Sequence, residues 1–115
     1  MDYANETQIV SGCISMLNIM GCMVWRNNTG AFKDKNGRAI HFGKPGSADI
    51  IGLTKDGKFL AVECKMPKGK VSPLQQNFLE DVKKHGGIAI VVHSVDELLD
   101  FFDRRDGGNY DGTED

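Results

Sequence analysis

The fold of this chain is decided by residues 49–65, which read Asp-Ile-Ile-Gly-Leu-Thr-Lys-Asp-Gly-Lys-Phe-Leu-Ala-Val-Glu-Cys-Lys. Two apolar runs of strand length flank the polar segment 54–57, and this pattern is typical of a β-hairpin. A three-residue loop that ends in a left-handed glycine, with an adjoining bulge, pairs Thr54 with Lys58. We therefore predict a bulged hairpin over this stretch.

The register of this hairpin has a chemical consequence, because successive residues of a strand point to opposite faces of the sheet. The bulged form sets Asp49 opposite Glu63 and places Lys65 on the same face. A two-residue turn would instead set Asp49 opposite Cys64, on the wrong side, since a slip of one residue inverts every side chain. The bulged register thus predicts two carboxylates and one ammonium on one face.

Two carboxylates beside a lysine suit metal-dependent hydrolysis. Mg²⁺ prefers oxygen ligands and typically uses one or two carboxylates together with waters and a substrate phosphate. Asp49 and Glu63 are therefore candidate ligands for Mg²⁺ or Mn²⁺, and Lys65 is a candidate to orient and stabilise the attacking water. The alternative is a solvated strand face with an ordinary Glu-Lys pair. That reading is favoured for an isolated Glu-x-Lys, and the acid at hairpin distance shifts the balance toward a site.

Four segments together carry a resemblance to a known family: Trp-Arg-Asn-Asn-Thr-Gly at 25–30, Gly-Lys-Pro-Gly-Ser-Ala-Asp at 43–49, Glu-Cys-Lys at 63–65 and Ser-Pro-Leu-Gln at 72–75. With them the chain, from Asn5 to about Val92, resembles the VRR-NUC (virus-type replication-repair nuclease) family of the PD-(D/E)xK superfamily. One departure is Ala48, which stands where the superfamily motif has proline.

The resemblance implies an α/β fold with a restriction-endonuclease-like core, in which helices flank a central mixed β-sheet. The chain itself reads as helix, strand, hairpin, helix, strand, helix, or α-β-β-β-α-β-α. The segment 31–47 has only a weak strand signal and is either a loop or a short additional hairpin. We predict one domain over residues 1–106 and a disordered acidic tail over residues 107–115.

The resemblance also implies roles for single residues. Asp49 and Glu63 look like the metal ligands, Lys65 the catalytic lysine, Gln75 a further catalytic polar residue and Glu6 a further metal ligand. Two of these have structural alternatives. Gln75 stands three residues after Ser72 and can complete a capping box, whereas Glu6 lies in the first turn of a helix, where the dipole favours a carboxylate.

Candidate substrate contacts lie in the loops around this trio. Arg26 and Asn27 follow a short strand and either contact phosphate or simply form a turn. Lys44, Lys68 and Lys70 extend a basic surface that also includes Lys33, Lys35 and Arg38, although any one lysine can serve solubility alone.

The charge distribution fits a polyanionic partner better than the net charge of −2 does. Residues 26–84 hold 12 of the 14 Lys and Arg with six acids, whereas residues 96–115 hold eight acids and two arginines. No apolar stretch reaches membrane-spanning length and no export signal is visible, so we expect a cytoplasmic protein, bacterial or in a phage-infected host. Cys13, Cys22 and Cys64 are odd in number and lack ligand spacing, which predicts reduced core thiols.

These features predict a metal-dependent endodeoxyribonuclease. By the resemblance its substrate is branched or Holliday-junction-like DNA, in phage biology or DNA repair, and it acts as a homodimer, which would place two metal sites across a two-fold axis. The alternatives are a non-catalytic module that binds branched DNA and an interaction subunit of a phage or repair assembly. A hydrolase of small phosphorylated molecules is a lesser alternative.

Overall fold

The computed structural model describes residues 5–110, the last four by their backbone only. It contains three helices and six strands in that range. In chain order they are α1 (Glu6–Ile19), β1 (Met23–Arg26), β2 (Gly30–Lys33), β3 (Ala39–Phe42), β4 (Ile50–Leu53), β5 (Phe59–Cys64), α2 (Pro73–Lys84), β6 (Ile88–Val92) and α3 (Val95–Tyr110).

Four strands form a central mixed sheet in the order β1-β4-β5-β6. The first three pair antiparallel and β6 pairs parallel with β5. Helices α1 and α3 pack on one face and α2 on the other. The predicted α/β architecture with a flanked mixed sheet is thereby confirmed.

The remaining two strands, β2 and β3, form a separate antiparallel hairpin. The sequence left the segment 31–47 open between a loop and a short hairpin, and it is a hairpin. The predicted order α-β-β-β-α-β-α therefore lacked two strands. Their signal is weak because every residue of both strands is exposed, so neither shows an alternation imposed by a core.

The hairpin of β4 and β5 has the predicted register. Ile50 lies opposite Val62 and Leu53 opposite Phe59, so one further step along the strands sets Asp49 opposite Glu63. At the turn, Thr54 N–H donates to the carbonyl of Lys58 over 2.8 Å, and Gly57 has a φ of +89°. A left-handed glycine at this position is what the bulged three-residue loop requires.

Two apolar clusters lie on the two faces of the sheet. The larger, beneath α1 and α3, is built on branched residues such as Ile50, Leu60 and Val62. The smaller, beneath α2, contains Ala48, Ala61 and Ala89 with Leu79 and Val82. Because alanines line the sheet there, α2 packs close to it, and its first turn comes within hydrogen-bonding reach of the end of β5.

Several smaller predictions can be compared with the described residues. Capping boxes begin α1 at Asn5 and α2 at Ser72, as expected, and the three cysteines are free and buried. Helix α3 continues to Tyr110. The predicted acidic tail falls on residues 107–110, described by backbone alone, and on residues 111–115, which lie outside the described range. Within residues 5–110, no helix has the length and hydropathy that a membrane crossing requires.

Candidate active site

The centre of the candidate site is Glu63, the penultimate residue of β5. Its exposed fraction is 1 %, and it is the one buried charged side chain in the described part of the chain. Its Oε1 atom is buried and accepts no hydrogen bond from any described residue. A carboxylate rarely stays fully buried unless a cation or a set of donors compensates it, so this oxygen calls for a positively charged ligand.

The other carboxylate oxygen of Glu63 is shared by two side chains. Gln75 Nε2 donates to Oε2 over 2.8 Å, and the Lys65 ammonium lies 3.4 Å from the same atom. Lys65 follows β5 directly, and 15 % of its side chain is exposed. The ammonium is therefore partly desolvated but within reach of a bound substrate.

Asp49 stands immediately before β4 and is fixed by two backbone contacts. Its Oδ2 accepts the N–H of Cys64 over 2.8 Å, and its carbonyl accepts the N–H of Asn27 over 2.7 Å. The first contact joins the acid to β5 beside Glu63, so the two carboxylates belong to one site. Only one oxygen of Asp49 is occupied in this way, which leaves Oδ1 available for a ligand.

The electrostatics of the site raise the pKa of Glu63 to about 7. Burial is the largest cause, the nearby Asp49 charge adds to it, and Lys65 opposes both. Burial removes the water that would solvate the ionised carboxylate, and the Asp49 charge repels it, so both favour the protonated form.

Gln75 forms the helix cap that the sequence allowed and also contacts Glu63, while its catalytic role stays a prediction. Its Oε1 accepts the N–H of Ser72, and its own N–H donates to Ser72 Oγ, which completes the capping box of α2. Its Nε2 meanwhile donates to Glu63. The helix cap thus fixes which end of the amide faces the carboxylate, and the two roles are compatible because they use different atoms.

Asn27 is tied into the loop that precedes Asp49. Its Nδ2 donates to Ser47 Oγ over 2.6 Å and to the carbonyl of Ala48 over 2.8 Å. The sequence offered phosphate contact or turn formation for this residue, and the observed bonds favour a third role, in which Asn27 positions Asp49. Sequence reasoning missed the contacts to Ser47 and Ala48, which are 20 and 21 residues away.

The loop itself is pressed against the start of α2 at Gly46. This glycine has a φ of +80°, and an added Cβ would lie 2.6 Å from Leu74 Cγ and 2.9 Å from the Leu74 carbonyl oxygen. A side chain at position 46 would therefore push the loop away from the helix that carries Gln75. Close packing at this point keeps Asp49 and Gln75 in one site.

Replacing Asn27 with alanine should lower the cleavage rate at saturating DNA roughly 10- to 100-fold, because small displacements of a catalytic group have effects of that size. DNA affinity should stay within about twofold, since Asn27 acts through Asp49. Single-turnover rates and binding isotherms measure the two quantities, with the exposed neighbour Asn28→Ala as control. A loss of affinity at a normal rate would instead support phosphate contact by Asn27.

The other predicted site residues lie around this centre. Arg26 ends β1 and is exposed, and Lys44, Lys68 and Lys70 are exposed in the loops before β4 and after β5. Glu6 is exposed in the first turn of α1. Within residues 5–110 no three His, Cys, Asp or Glu side chains are grouped closely enough to hold a metal ion. Glu6 is therefore not grouped with Asp49 and Glu63, and its role as a ligand stays a prediction.

The described donors nevertheless fit one hard divalent cation. Asp49 and Glu63 offer two carboxylates, a number that Mg²⁺ commonly uses when waters and a substrate phosphate complete its shell. The unpartnered Oε1 of Glu63 and the raised pKa of that carboxyl both indicate a shortage of positive charge at this point.

Comparison with known proteins gives one family. Residues 17–96 match the family described as VRR-NUC domain. No curated protein and no solved structure matches the chain. The matched stretch runs from α1 into the start of α3 and includes Asp49, Glu63, Lys65 and Gln75, whereas Glu6 lies outside it. The chain therefore belongs to the VRR-NUC family and is a nuclease-type domain.

Proposed function

We propose that this protein is a metal-dependent endonuclease that hydrolyses phosphodiester bonds of DNA, with Mg²⁺ or Mn²⁺ as cofactor. The observation that carries the proposal is the surroundings of Glu63. A buried carboxylate with one unpartnered oxygen has a second carboxylate beside it and an ammonium at 3.4 Å. This arrangement of charges is unfavourable in the metal-free protein and becomes favourable when a divalent cation binds.

Each side chain has a distinct task in the proposed reaction. Asp49 and Glu63 hold the cation, and Gln75 keeps the Glu63 carboxylate in its orientation. Lys65 orients the attacking water and stabilises negative charge on it as its proton leaves. When bound, the cation would lower the pKa of a water beside it and compensate the charge that develops on the phosphate.

The surface around the site suits a polymer. On the face that carries Asp49, helix α2 covers β5 and β6, whereas Met23 and Trp25 of β1 and Leu53 of β4 stay exposed. Lys44 is exposed in the loop that leads to Asp49, whereas Arg26 pairs with Ile50 and therefore belongs to the opposite face of the sheet. An extended phosphodiester backbone can therefore reach Lys65 without entering a closed cavity, which a hydrolase of small phosphorylated molecules would be expected to offer.

We further propose that the enzyme prefers branched DNA and acts as a homodimer. The support is the family and the small size of the domain, whose basic segment offers limited contact with a duplex. A two-fold dimer would double that contact area and would present two sites to symmetry-related strands of a junction.

The proposal is tested by incubating the protein with labelled four-way junction, flap, single-stranded and duplex DNA of common sequence, in Mg²⁺, Mn²⁺ or EDTA. We expect cleavage only with metal, and fastest for a branched substrate. The Asp49→Asn variant should lose cleavage at least about 100-fold and should also bind metal more weakly, since it lacks one ligand charge. Calorimetric titration with Mn²⁺ measures that second effect.

The matched control for Asp49→Asn is Asp81→Asn on α2, an exposed acid away from the site. It should leave both cleavage and metal affinity unchanged. Binding of junctions without cleavage in any metal would refute the nuclease proposal and favour the alternative of a branched-DNA-binding module.

A further inference from the structure

The hairpin formed by β2 and β3 has two unlike faces. Phe32 lies opposite Ile40, and Phe42 lies opposite Gly30. Because residues of one strand alternate, these apolar side chains share one face, while Lys33 and His41 belong to the other. We call the surface formed by Phe32, Ile40 and Phe42 the hairpin apolar face.

The hairpin apolar face has no partner among the described residues. The exposed fractions are 56 % for Phe32, 38 % for Ile40 and 46 % for Phe42, and the two strands make their main contacts with each other. A two-stranded hairpin with exposed aromatic residues gains little stability alone.

The orientation of one ring is fixed by a neighbouring glycine. A Cβ built on Gly30 would lie 2.6 Å from Phe42 Cζ and 3.0 Å from Cε1, so the Phe42 ring lies across the Gly30 backbone. The tip of the ring therefore lies against Gly30, while nearly half of the residue stays exposed. An exposed aromatic ring can stack with a planar group.

Hydrogen bonds hold the turn of the hairpin and the chain segments at its base. In its turn, Asp34 Oδ1 accepts the N–H groups of Asn36 and Arg38, each over 2.9 Å. At its base, the Asn27 amide bonds to Ser47 and Ala48 and so joins the hairpin to the segment that carries Asp49. A surface held in this way loses little freedom on binding.

The charges around the hairpin apolar face identify the kind of partner. Residues 26–47 contain five Lys and Arg and one acid, Asp34. That acid is already engaged by the turn N–H groups and by Arg38 Nε at 3.1 Å. Lys35 in the turn and Lys44 just after β3 form no ion pair with any described residue, and they lie at opposite ends of the hairpin. Aromatic rings between free cations match single-stranded nucleic acid, in which unpaired bases alternate with phosphates.

A second copy of the chain fits this surface less well. Phenylalanine side chains offer about 150–250 Å² each when fully buried, so at the observed exposure the three side chains present on the order of 250 Å² together. A stable dimer buries about 800 Å² per partner. The hairpin apolar face is too small to hold a dimer together, and its flanking cations would repel a symmetric copy.

We propose that the β2–β3 hairpin is a binding element for unpaired DNA bases, with Phe32 and Phe42 stacking on bases and the flanking lysines contacting phosphates. This inference rests on DNA as the proposed substrate. It places unpaired nucleotides next to Asp49, which gives a physical origin for a preference for branched over fully paired DNA.

The test is fluorescence anisotropy of a labelled 20-nucleotide single strand and of the same sequence as a blunt duplex, in EDTA so that nothing is cleaved. We expect the double variant Phe32→Ser/Phe42→Ser to bind the single strand about tenfold or more weakly, in line with stacking on two rings. Its affinity for the duplex should change less than about threefold, since phosphate contacts persist.

Two further variants separate stacking from other effects. Ile19→Ser removes a side chain that is 78 % exposed at the end of α1 and should leave both affinities unchanged. Phe42→Tyr retains the ring and should keep the affinity for the single strand. Thermal unfolding of each variant verifies that it is folded.

Three results would overturn the proposal. The first is an unchanged affinity of the double variant for the single strand, and the second is an equal loss of affinity for the single strand and the duplex. The third is a wild type that is dimeric and a double variant that is monomeric but still binds the single strand. The last result would make the hairpin apolar face a self-association surface. Because all measurements are made without metal, a protein that cuts no DNA would refute the proposed nuclease and would leave this test intact.

Discussion

Replacing Lys65 with alanine is expected to reduce the single-turnover cleavage rate at least about 1,000-fold, the upper range for removal of one group that stabilises charge in a transition state. The ammonium lies 3.4 Å from Glu63 Oε2 and is mostly buried. No other Lys or Arg forms an ion pair with Glu63 among the described residues. The charge that it supplies to the attacking water therefore has no substitute in the described site.

The measurement compares cleavage of the preferred substrate in Mg²⁺ by the wild type, Lys65→Ala and Lys68→Ala. Lys68 is an exposed lysine three residues further on, so its loss should weaken DNA binding slightly and should be overcome by more protein. The DNA affinity of Lys65→Ala, measured in EDTA, should remain within about threefold of the wild-type value, since the variant loses at most one phosphate contact among several. Wild-type cleavage by Lys65→Ala would refute the assignment.

Replacing Glu63 with glutamine is expected to abolish cleavage and, at the same time, to stabilise the metal-free protein at pH 8. The folded protein raises the pKa of Glu63 from 4.5 to about 7. A raised pKa means that the folded state holds the proton more tightly than the unfolded state. The corresponding stability is complete below about pH 4.5 and is lost as the pH rises through 7.

Glutamine has the shape of the protonated acid and does not lose this stability. A difference of one pKa unit corresponds to at most 1.36 kcal/mol. We therefore expect the free energy of unfolding of Glu63→Gln at pH 8 to exceed that of the wild type by roughly 2 kcal/mol. This corresponds to about 10 °C in Tm for a domain of this size. Near pH 4.5 the two proteins should unfold at similar temperatures. Mg²⁺ at pH 8 should raise the Tm of the wild type and leave the variant unchanged, because only the wild type retains both ligands.

Thermal unfolding in EDTA from pH 4.5 to 8 measures the difference between the two proteins, which cancels the titration of groups common to both. Glu80→Gln on α2 serves as control, since that carboxylate is half-exposed and its surface ion pair with Lys83 is worth little. A constant difference across this pH range would contradict a buried, poorly compensated charge at Glu63.

The β4–β5 hairpin could be predicted from sequence because its determinants are local. Gly57 admits the left-handed conformation that one loop type needs, and that loop fixes the pairing of every residue in β4 and β5. The register then carries Asp49 and Glu63 to one face. Side chains along a strand alternate between the two faces of the sheet. A correctly predicted turn is therefore sufficient to predict which side chains share a face.

The surroundings of the trio were less accessible to sequence because they depend on distant packing. The hydrogen bonds of Asn27 span about 20 residues and follow from the pairing of β1 with β4, which no local pattern predicts. The β2–β3 hairpin has no buried face, so the usual periodicity is absent. Glu6 was predicted as a ligand by resemblance alone, and no three-residue acidic group within the described range includes it.

The shared use of Gln75 has a consequence for how variants at this position are interpreted. One amide caps a helix through Ser72 and holds the buried carboxylate of Glu63 by a hydrogen bond. A substitution there perturbs folding and chemistry together, so a survey of mutants scored by activity alone would assign it to the active site, and one scored by protein abundance would assign it to the scaffold. Position 75 should therefore tolerate fewer substitutions than either role alone would allow.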